Sequence, residues 1–226
     1  GAAAAAGGAR GVPLEVANIV PAFVGDAMRE PPPDLSSFLF QQRIVYLGMP
    51  LQSAVTELLI AEMMYLNQNE PDKPIHFYIN STGTSKDGSR LAYNPEAFAI
   101  YDMFNYVQPK IHTLCVGTAW GEAAMLLAAG ERGQRACLPT SSIMIKQPLG
   151  MTRGQASELD LARHEMRITT SHVIETLSTH TGRSQEQIAE DIKRPRYMDA
   201  QGAIDYGLVD TILGSKTEQT RDRGMA

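Results

Sequence analysis

Short apolar runs rich in β-branched and aromatic residues alternate along this chain with segments of helical periodicity. The runs RIVYLG at 43–48 and IHFYIN at 75–80 flank a segment, 53–69, whose apolar residues recur at helical spacing. Those residues are Leu58, Ala61, Met64 and Leu66. Because parallel strands need a crossover helix between them, this βαβ pattern predicts an α/β fold with a mainly parallel sheet.

The alternation continues toward the C-terminal end. Asn94, Pro95 and Glu96 are typical of a helix start. Further strands are predicted at IHTLCV (111–116), RACLP and SIMIKQP, with a small-residue helix around EAAMLLAAG. Ser184 and Gln187 form a predicted capping box for a helix that stops at Pro195, and AQGAIDYG leads to a last strand, LVDTIL.

A long helix is predicted from Gly154 to Thr181, with Gly182 as a left-handed cap. Its apolar side is formed by Leu159, Ala162, Met166, Val173 and Leu177. At about 1.5 Å per residue this helix is roughly 40 Å long. That length exceeds the small domain before it, so the helix must project or meet a partner.

Composition excludes several classes of function. The 226 residues carry 20 Lys+Arg against 25 Asp+Glu, a net charge of −5 with no dense basic block, which argues against a nucleic-acid surface. The longest apolar runs fall far short of the roughly 20 residues that span a bilayer. The Ala- and Gly-rich stretch at 1–18 is predicted to be a disordered lead and the polar stretch at 214–226 a flexible tail, leaving one folded domain at 19–213.

Motifs for cofactors or metals are missing from the sequence. The chain has no GxxxxGK, HExxH or strand-linked GxGxxG, and its five histidines are scattered without ligand spacing. Cys115 and Cys137 lie in strand-like runs and are predicted to be inert core thiols. The sequence therefore predicts no cofactor and no metal.

The informative stretch is VGTAWGEAAMLLAAGERGQRACLPTSSIMIKQPLG at 116–150, read together with YINSTG, GQASELDLARHE and MDAQGAIDYGLVD. These motifs, in this order and spacing, resemble the proteolytic subunit of Clp protease, ClpP, from about Ile19 to Leu213. The resemblance implies a crotonase-like ββα superhelix with a projecting handle, at about 146–180, formed by the long helix and a strand. It also implies a double heptameric ring that encloses a chamber and receives unfolded proteins from an AAA+ Clp ATPase.

The sequence departs from this family at all three catalytic positions. Gly121 stands where the family has its serine nucleophile, and a glycine offers no nucleophile. Lys146, in IMIKQP, stands where the family has its general-base histidine; lysine is ordinarily protonated at neutral pH and cannot accept a proton there. Pro195 takes the place of the aspartate, and it can neither orient nor neutralise an imidazole.

The oxyanion loop is altered as well. Thr84 replaces part of the family's glycine turn after INS, and Glu122 occupies the second donor position, where its carboxylate is unsuited to an oxyanion. The loop from Thr82 to Asn94 is longer than in the family. Two interpretations stay open for it: a cover over the degenerate site, or a surface insertion without function.

Two further sets of residues follow from the resemblance. The family's ATPase-docking pocket corresponds to His76, Tyr78 and Tyr106. The ring-to-ring handle corresponds to a strand at Lys146–Met151 and the helix after it, and its contact residues are Lys146, Gln147, Leu149, Gly150, Met151, Leu159 and Met166.

The departures resemble the ClpR branch, the non-catalytic ClpP-like subunits of plastids and photosynthetic bacteria. The resemblance implies a catalytically inactive structural subunit of a hetero-oligomeric Clp core, with ClpP and other ClpR-type chains as partners. The implied location is the plastid stroma or, alternatively, the cytoplasm of a photosynthetic bacterium. One rival hypothesis is an active peptidase with a relocated serine, such as Ser142, Ser81 or Ser85 beside Lys146. Another is a crotonase-fold acyl-CoA enzyme.

Overall fold

The computed structural model describes residues 35–83, 94–150 and 154–214. Helices and strands alternate through them in the order α1 Leu35–Gln41, β1 Ile44–Leu47, α2 Ser53–Asn69, β2 Ile75–Ser81, α3 Asn94–Tyr106, β3 Ile111–Trp120, α4 Glu122–Ala128, β4 Arg135–Cys137, β5 Ser142–Ile145, α5 Ala156–Thr181, α6 Gln185–Asp191, β6 Arg196–Met198, α7 Ala200–Tyr206 and β7 Thr211–Ile212. None of the helices in these ranges is long and apolar enough to cross a membrane.

The strands of the described chain form one mostly parallel sheet in the order β1-β2-β3-β4-β7. Strand β5 also pairs with β3, and β6 joins β5 as the antiparallel partner in an otherwise parallel arrangement. The predicted α/β fold with a mainly parallel sheet is confirmed. The alternation of apolar runs and helices signals it because parallel neighbours are joined through helices.

Strand β3 is longer than predicted because it serves two neighbours in turn. Its first half, Thr113 to Cys115, pairs with β4, and its second half, Thr118 to Trp120, pairs with β5. Gly117 lies between the halves at φ +98°, a region that favours glycine. The sheet therefore divides along β3, with β4 beside its first half and β5 beside its second half. The candidate site lies at the end of the second half.

Helix α4 lies at the centre of the packing. All seven of its residues are buried, including Glu122, and it contacts the sheet as well as α3 and α5. Its small residues allow this close approach. Cys115 and Cys137 are buried free thiols near the same core, and burial raises the pKa of each to about 11. That agrees with the prediction of inert core thiols.

A buried ion pair ties the elements around α4 together. The Arg135 guanidinium, 5% exposed, donates to both carboxylate oxygens of Asp210 at 2.9 and 2.5 Å. The third guanidinium nitrogen, Nη1, donates to the backbone carbonyls of Ala128 and His180, at the C-terminal ends of α4 and α5. The Arg135 side chain thus pairs with the Asp210 carboxylate and also satisfies one carbonyl at the C-terminal end of each helix.

Helix α5 has 26 residues and ends at Gly182, which adopts φ +75° as predicted. Its buried residues are confined to the last third, at Val173, Thr176 and Leu177. Leu159 and Met166 extend the same helical face toward the N-terminal end, where Leu159 is exposed and Met166 is half-buried. The predicted projecting helix is present.

Several local predictions were wrong. The buried face of α2 is formed by Leu59, Met63 and Leu66, whereas Leu58, Ala61 and Met64 point outward. Helix α6 ends at Asp191 and not at Pro195, because the chain turns there to form β6. The predicted strand at Lys146–Met151 is not a strand over 146–150, and Met151 lies outside the described residues. Helix α1 and strand β6 were not predicted.

Candidate functional site

Gly121 occupies a sharp turn between β3 and α4. It is buried, with φ +60° and ψ −118°, and its amide donates to the Met144 carbonyl at 2.7 Å. Its own carbonyl accepts from the amides of Ala124 and Met125, which starts α4. A strand, a strained turn and a helix form the backbone of a nucleophile elbow, which presents a side chain at the end of a sheet. The conformation would strain a residue that has a Cβ atom, but glycine adopts it without strain. Gly121 therefore presents no side chain at the end of the sheet.

Lys146 lies directly over Gly121. A Cβ atom built on Gly121 would lie 2.8 Å from Cε and 3.7 Å from Nζ of Lys146. The lysine is half-buried and follows the last residue of β5. Its methylene groups therefore fill the space into which a side chain at position 121 would extend.

Pro195 is brought to the same place by β6. The antiparallel register pairs Ile145 with Arg196, so one step further puts Pro195 opposite Lys146. A hydrogen bond from the Gln147 amide to the Ile192 carbonyl, 2.8 Å long, holds the two segments together beyond the strands. Lys146 thus lies against Gly121, and the strand register puts it opposite Pro195; the three side chains include no hydroxyl, imidazole or carboxylate.

Glu122 fills the region beside the elbow where a donor would be needed. It is 4% exposed, and its Oε2 would lie 2.8 Å from a Cβ built on Gly83, which has φ +76°. A carboxylate here opposes the negative charge of a tetrahedral oxyanion. The other predicted oxyanion position, Thr84, and loop residues 84–93 lie outside the described residues.

An aromatic pair that sequence reasoning missed covers this face of the sheet. Trp120, which is the residue before Gly121, meets Tyr197 edge to face at 5.6 Å between ring centroids. The indole Nε1 donates to Ser142 Oγ at 3.2 Å. The signal in the sequence is that Trp120 is the chain's single tryptophan and adjoins the nucleophile position.

The proposed replacement serines have other partners. Ser142 Oγ accepts the indole bond, and the regular pairing of β5 leaves no bend that would bring it to Lys146. Ser81 Oγ donates to the Met49 carbonyl at 2.9 Å and accepts from the Gly83 amide. Ser85 lies outside the described residues. No described serine is shown in contact with the Lys146 ammonium.

The predicted docking residues divide between two surfaces. His76 and Tyr78 line a cavity of about 230 Å³ on the open face of the sheet, together with His112 and Leu114. Tyr106 does not line it; this residue is 73% exposed on α3. His76 and His112 pair across β2 and β3 with ring centroids 5.2 Å apart. Burial lowers the pKa of both imidazoles, so neutral rings are favoured there.

The predicted handle residues are mostly exposed. Gln147, Leu149 and Gly150 face solvent, as does Leu159 on α5, while Met166 is half-buried. Leu161, which was not among the predicted residues, is 69% exposed on the opposite side of the helix from Leu159. The handle therefore has an apolar residue on each side.

Known proteins resemble this chain over most of its length. The family model described as Clp protease matches residues 29–216. The chain is 50% identical over 210 residues to "ATP-dependent Clp protease proteolytic subunit-related protein 4, chloroplastic" of Arabidopsis thaliana, covering 93% of this chain and 68% of that protein.

Two other relatives extend the comparison. "ATP-dependent Clp protease proteolytic subunit-related protein 3, chloroplastic" of Arabidopsis thaliana is 46% identical over 82% of this chain and 57% of its own length. "ATP-dependent Clp protease proteolytic subunit 2" of Gloeobacter violaceus is 44% identical over 88% of this chain and 91% of its own length. Similarity thus extends to proteins from a plant and from a bacterium.

Proposed function

The chain belongs to the Clp protease family, and from that premise we propose that it is a catalytically inactive structural subunit of a hetero-oligomeric Clp protease core. Its partners are ClpP-type and other ClpR-type subunits in a double ring, with an AAA+ ATPase that delivers unfolded protein. Its location is the plastid stroma, as the chloroplastic relatives suggest, or the cytoplasm of a photosynthetic bacterium. The folded unit is the domain at 19–213, with the handle at about 146–180.

The elbow at Gly121 carries this proposal. Its backbone has the conformation that presents a nucleophile, but the residue has no side chain, and Lys146 fills the adjoining space. The positions that would supply the base and its orienting acid carry an amine and a ring without a polar group. The three triad positions therefore offer no nucleophile, imidazole or carboxylate, whereas the strand, turn and helix that would hold a nucleophile are present.

The test is active-site labelling with a fluorophosphonate, paired with hydrolysis of a fluorogenic peptide. We expect the unmodified chain and the single variant Gly121→Ser to give no adduct and no turnover above background, because the serine would still lack an imidazole base. A ClpP-type subunit that retains its serine nucleophile, assembled in rings, is the positive control. An adduct on any serine of the unmodified chain contradicts the proposal and favours the relocated nucleophile.

A further inference from the structure

A cavity of about 380 Å³ lies between α3 and the second half of α5, and none of the elbow residues lines it. Helix α3 contributes Phe98, Tyr101 and Asp102, which are three and one residues apart and so share one face. Helix α5 contributes a facing stripe that begins at His172 and ends at Thr179. The groove is thus built from two regular helical faces.

Two carboxylates oppose each other across this groove. Asp102 on α3 and Glu175 on α5 are both exposed, and neither side chain forms an ion pair or hydrogen bond within the described residues. The described lining contains no lysine or arginine. Arg132 approaches only one end, where it donates to the Thr179 carbonyl at 2.9 Å. The groove therefore carries uncompensated negative charge.

Aromatic rings form the rest of the wall. Phe98 meets the His172 ring edge to face at 5.8 Å between centroids. Tyr101 is held in place by a 3.2 Å hydrogen bond between its hydroxyl and His180 Nε2. Ring faces attract cations, and they do so more strongly when the cation is shielded from water. Fixed rings beside two carboxylates are suited to a guanidinium or ammonium group.

Thr176 provides a separate indication that the groove receives a polar group. It is 7% exposed and lines the cavity. Other α5 threonines, at 169, 170, 179 and 181, donate their hydroxyls to the carbonyl four residues earlier. The Thr176 hydroxyl makes no hydrogen bond within the described residues, and it is not sealed from solvent as the Thr56 hydroxyl is. A buried hydroxyl in this state is an available partner for a ligand.

We propose that the α3–α5 groove binds the side chain of an arginine or lysine presented by a neighbouring Clp-type subunit. The cation pairs with Asp102 and Glu175 together, lies against Phe98, and makes its remaining polar contact with Thr176. Charge complementarity selects this occupant, since an acidic or purely apolar segment would leave both carboxylates uncompensated. The inference rests on the proposed function in one respect, namely that the chain assembles with other subunits.

Crosslinking in the assembled complex tests this. A photoreactive benzoyl-phenylalanine replaces Thr179 at the edge of the groove, and the full chain is co-expressed with its partner subunits. Native mass spectrometry first establishes whether the rings form, and peptide mapping then locates the crosslink. We expect it within a few residues of an arginine or lysine of a neighbouring subunit. Failure to form rings contradicts the proposed function, whereas rings with no crosslink overturn only the groove assignment.

Paired charge variants complete the experiment. Asp102→Asn with Glu175→Gln keeps the side-chain shapes and should lower the crosslink yield about tenfold. Asp72→Asn with Glu186→Gln removes the same charge from exposed sites outside the groove and should leave the yield unchanged. Circular dichroism checks that both variants fold. A crosslink to the ATPase, to unfolded substrate or to a segment without basic residues overturns the proposal, as does an equal yield in the two variants.

Discussion

Helix α4 and the first two thirds of α5 differ sharply in how the chain covers them. Every residue of α4 is buried, and the elbow before it carries a glycine, Gly121. The first 17 residues of α5, from Ala156 to His172, contain no buried residue. Helix α4 is thus part of the folded core, whereas the first two thirds of α5 contribute no buried residue to it.

Replacing one leucine by alanine in each helix measures how much the burial of that helix contributes to the free energy of unfolding. Leu126→Ala in α4 removes a fully buried side chain and should lower the free energy of unfolding by about 2–5 kcal/mol. Leu161→Ala in α5 removes a side chain that is 69% exposed and should change it by less than about 0.5 kcal/mol. Urea unfolding of the purified chain provides both values. Equal losses in the two variants would break the comparison.

The ion pair between Arg135 and Asp210 makes the stability of the fold depend on pH. Arg135 lowers the pKa of Asp210 through a hydrogen bond, so the carboxylate stabilises the fold above the ordinary carboxyl range and loses that effect as the pH falls below it. Asp210→Asn leaves the Arg135 guanidinium buried and unpaired, and should cost about 2–3 kcal/mol at pH 7. Urea unfolding at pH 7 and pH 3 should show the wild type and variant converging at the lower pH. A constant difference would assign the loss to packing.

The exposed part of α5 should matter for assembly and little for the chain itself. Leu159→Asp or Met166→Asp puts a charge on the helical face that continues from Val173 and Leu177, so double rings should fail to form. The unfolding free energy of the isolated chain should change by less than about 0.5 kcal/mol for Leu159→Asp, and by about 1 kcal/mol for Met166→Asp because Met166 is half-buried. Native mass spectrometry of co-expressed rings is the measurement.

Leu161→Asp is the matched control for these variants, because it adds the same charge about 200° around the helix from Leu159. Rings should form with this variant. If rings form at unchanged yield with Leu159→Asp, the interface that we assign to this face is wrong.

The smallest effect is expected for a deletion between β2 and α3, because both interpretations of this loop, a cover over the degenerate site or a surface insertion without function, give it no role in handling substrate. Deleting residues 85–92 should change degradation of an unfolded model substrate by less than about tenfold, the equivalent of 1.4 kcal/mol of barrier. The assay uses the reconstituted core with its ATPase at matched assembly. A larger loss would mean that the loop handles substrate or controls a neighbour's active site.

The sequence predicted the parallel sheet, the long helix and its glycine cap, since these depend on local patterns. It did not predict which face of α2 is buried, because apolar residues lie on both sides: Leu58 and Met64 are as hydrophobic as Leu59 and Met63. Packing alone chooses between them.

Among the site residues, some were likewise predicted from the sequence and others were not. Motif spacing identified Gly121, Lys146 and Pro195, but not the contact between Trp120 and Tyr197. That contact depends on β6, a strand of three residues that is too short to show any periodicity. Only the register of β5 against β6 brings the two rings together.

The way in which Arg135 anchors α5 has a mechanical consequence. The arginine binds the His180 carbonyl at one end of the helix, and the buried residues begin at Val173. The helix beyond that point is a lever arm of about 26 Å, at about 1.5 Å per residue. A rotation of about 5° at the anchor would move its tip by about 2 Å. A small rotation about this ion pair would therefore displace the N-terminal end of α5 by a larger distance. That end is where a second ring would make contact.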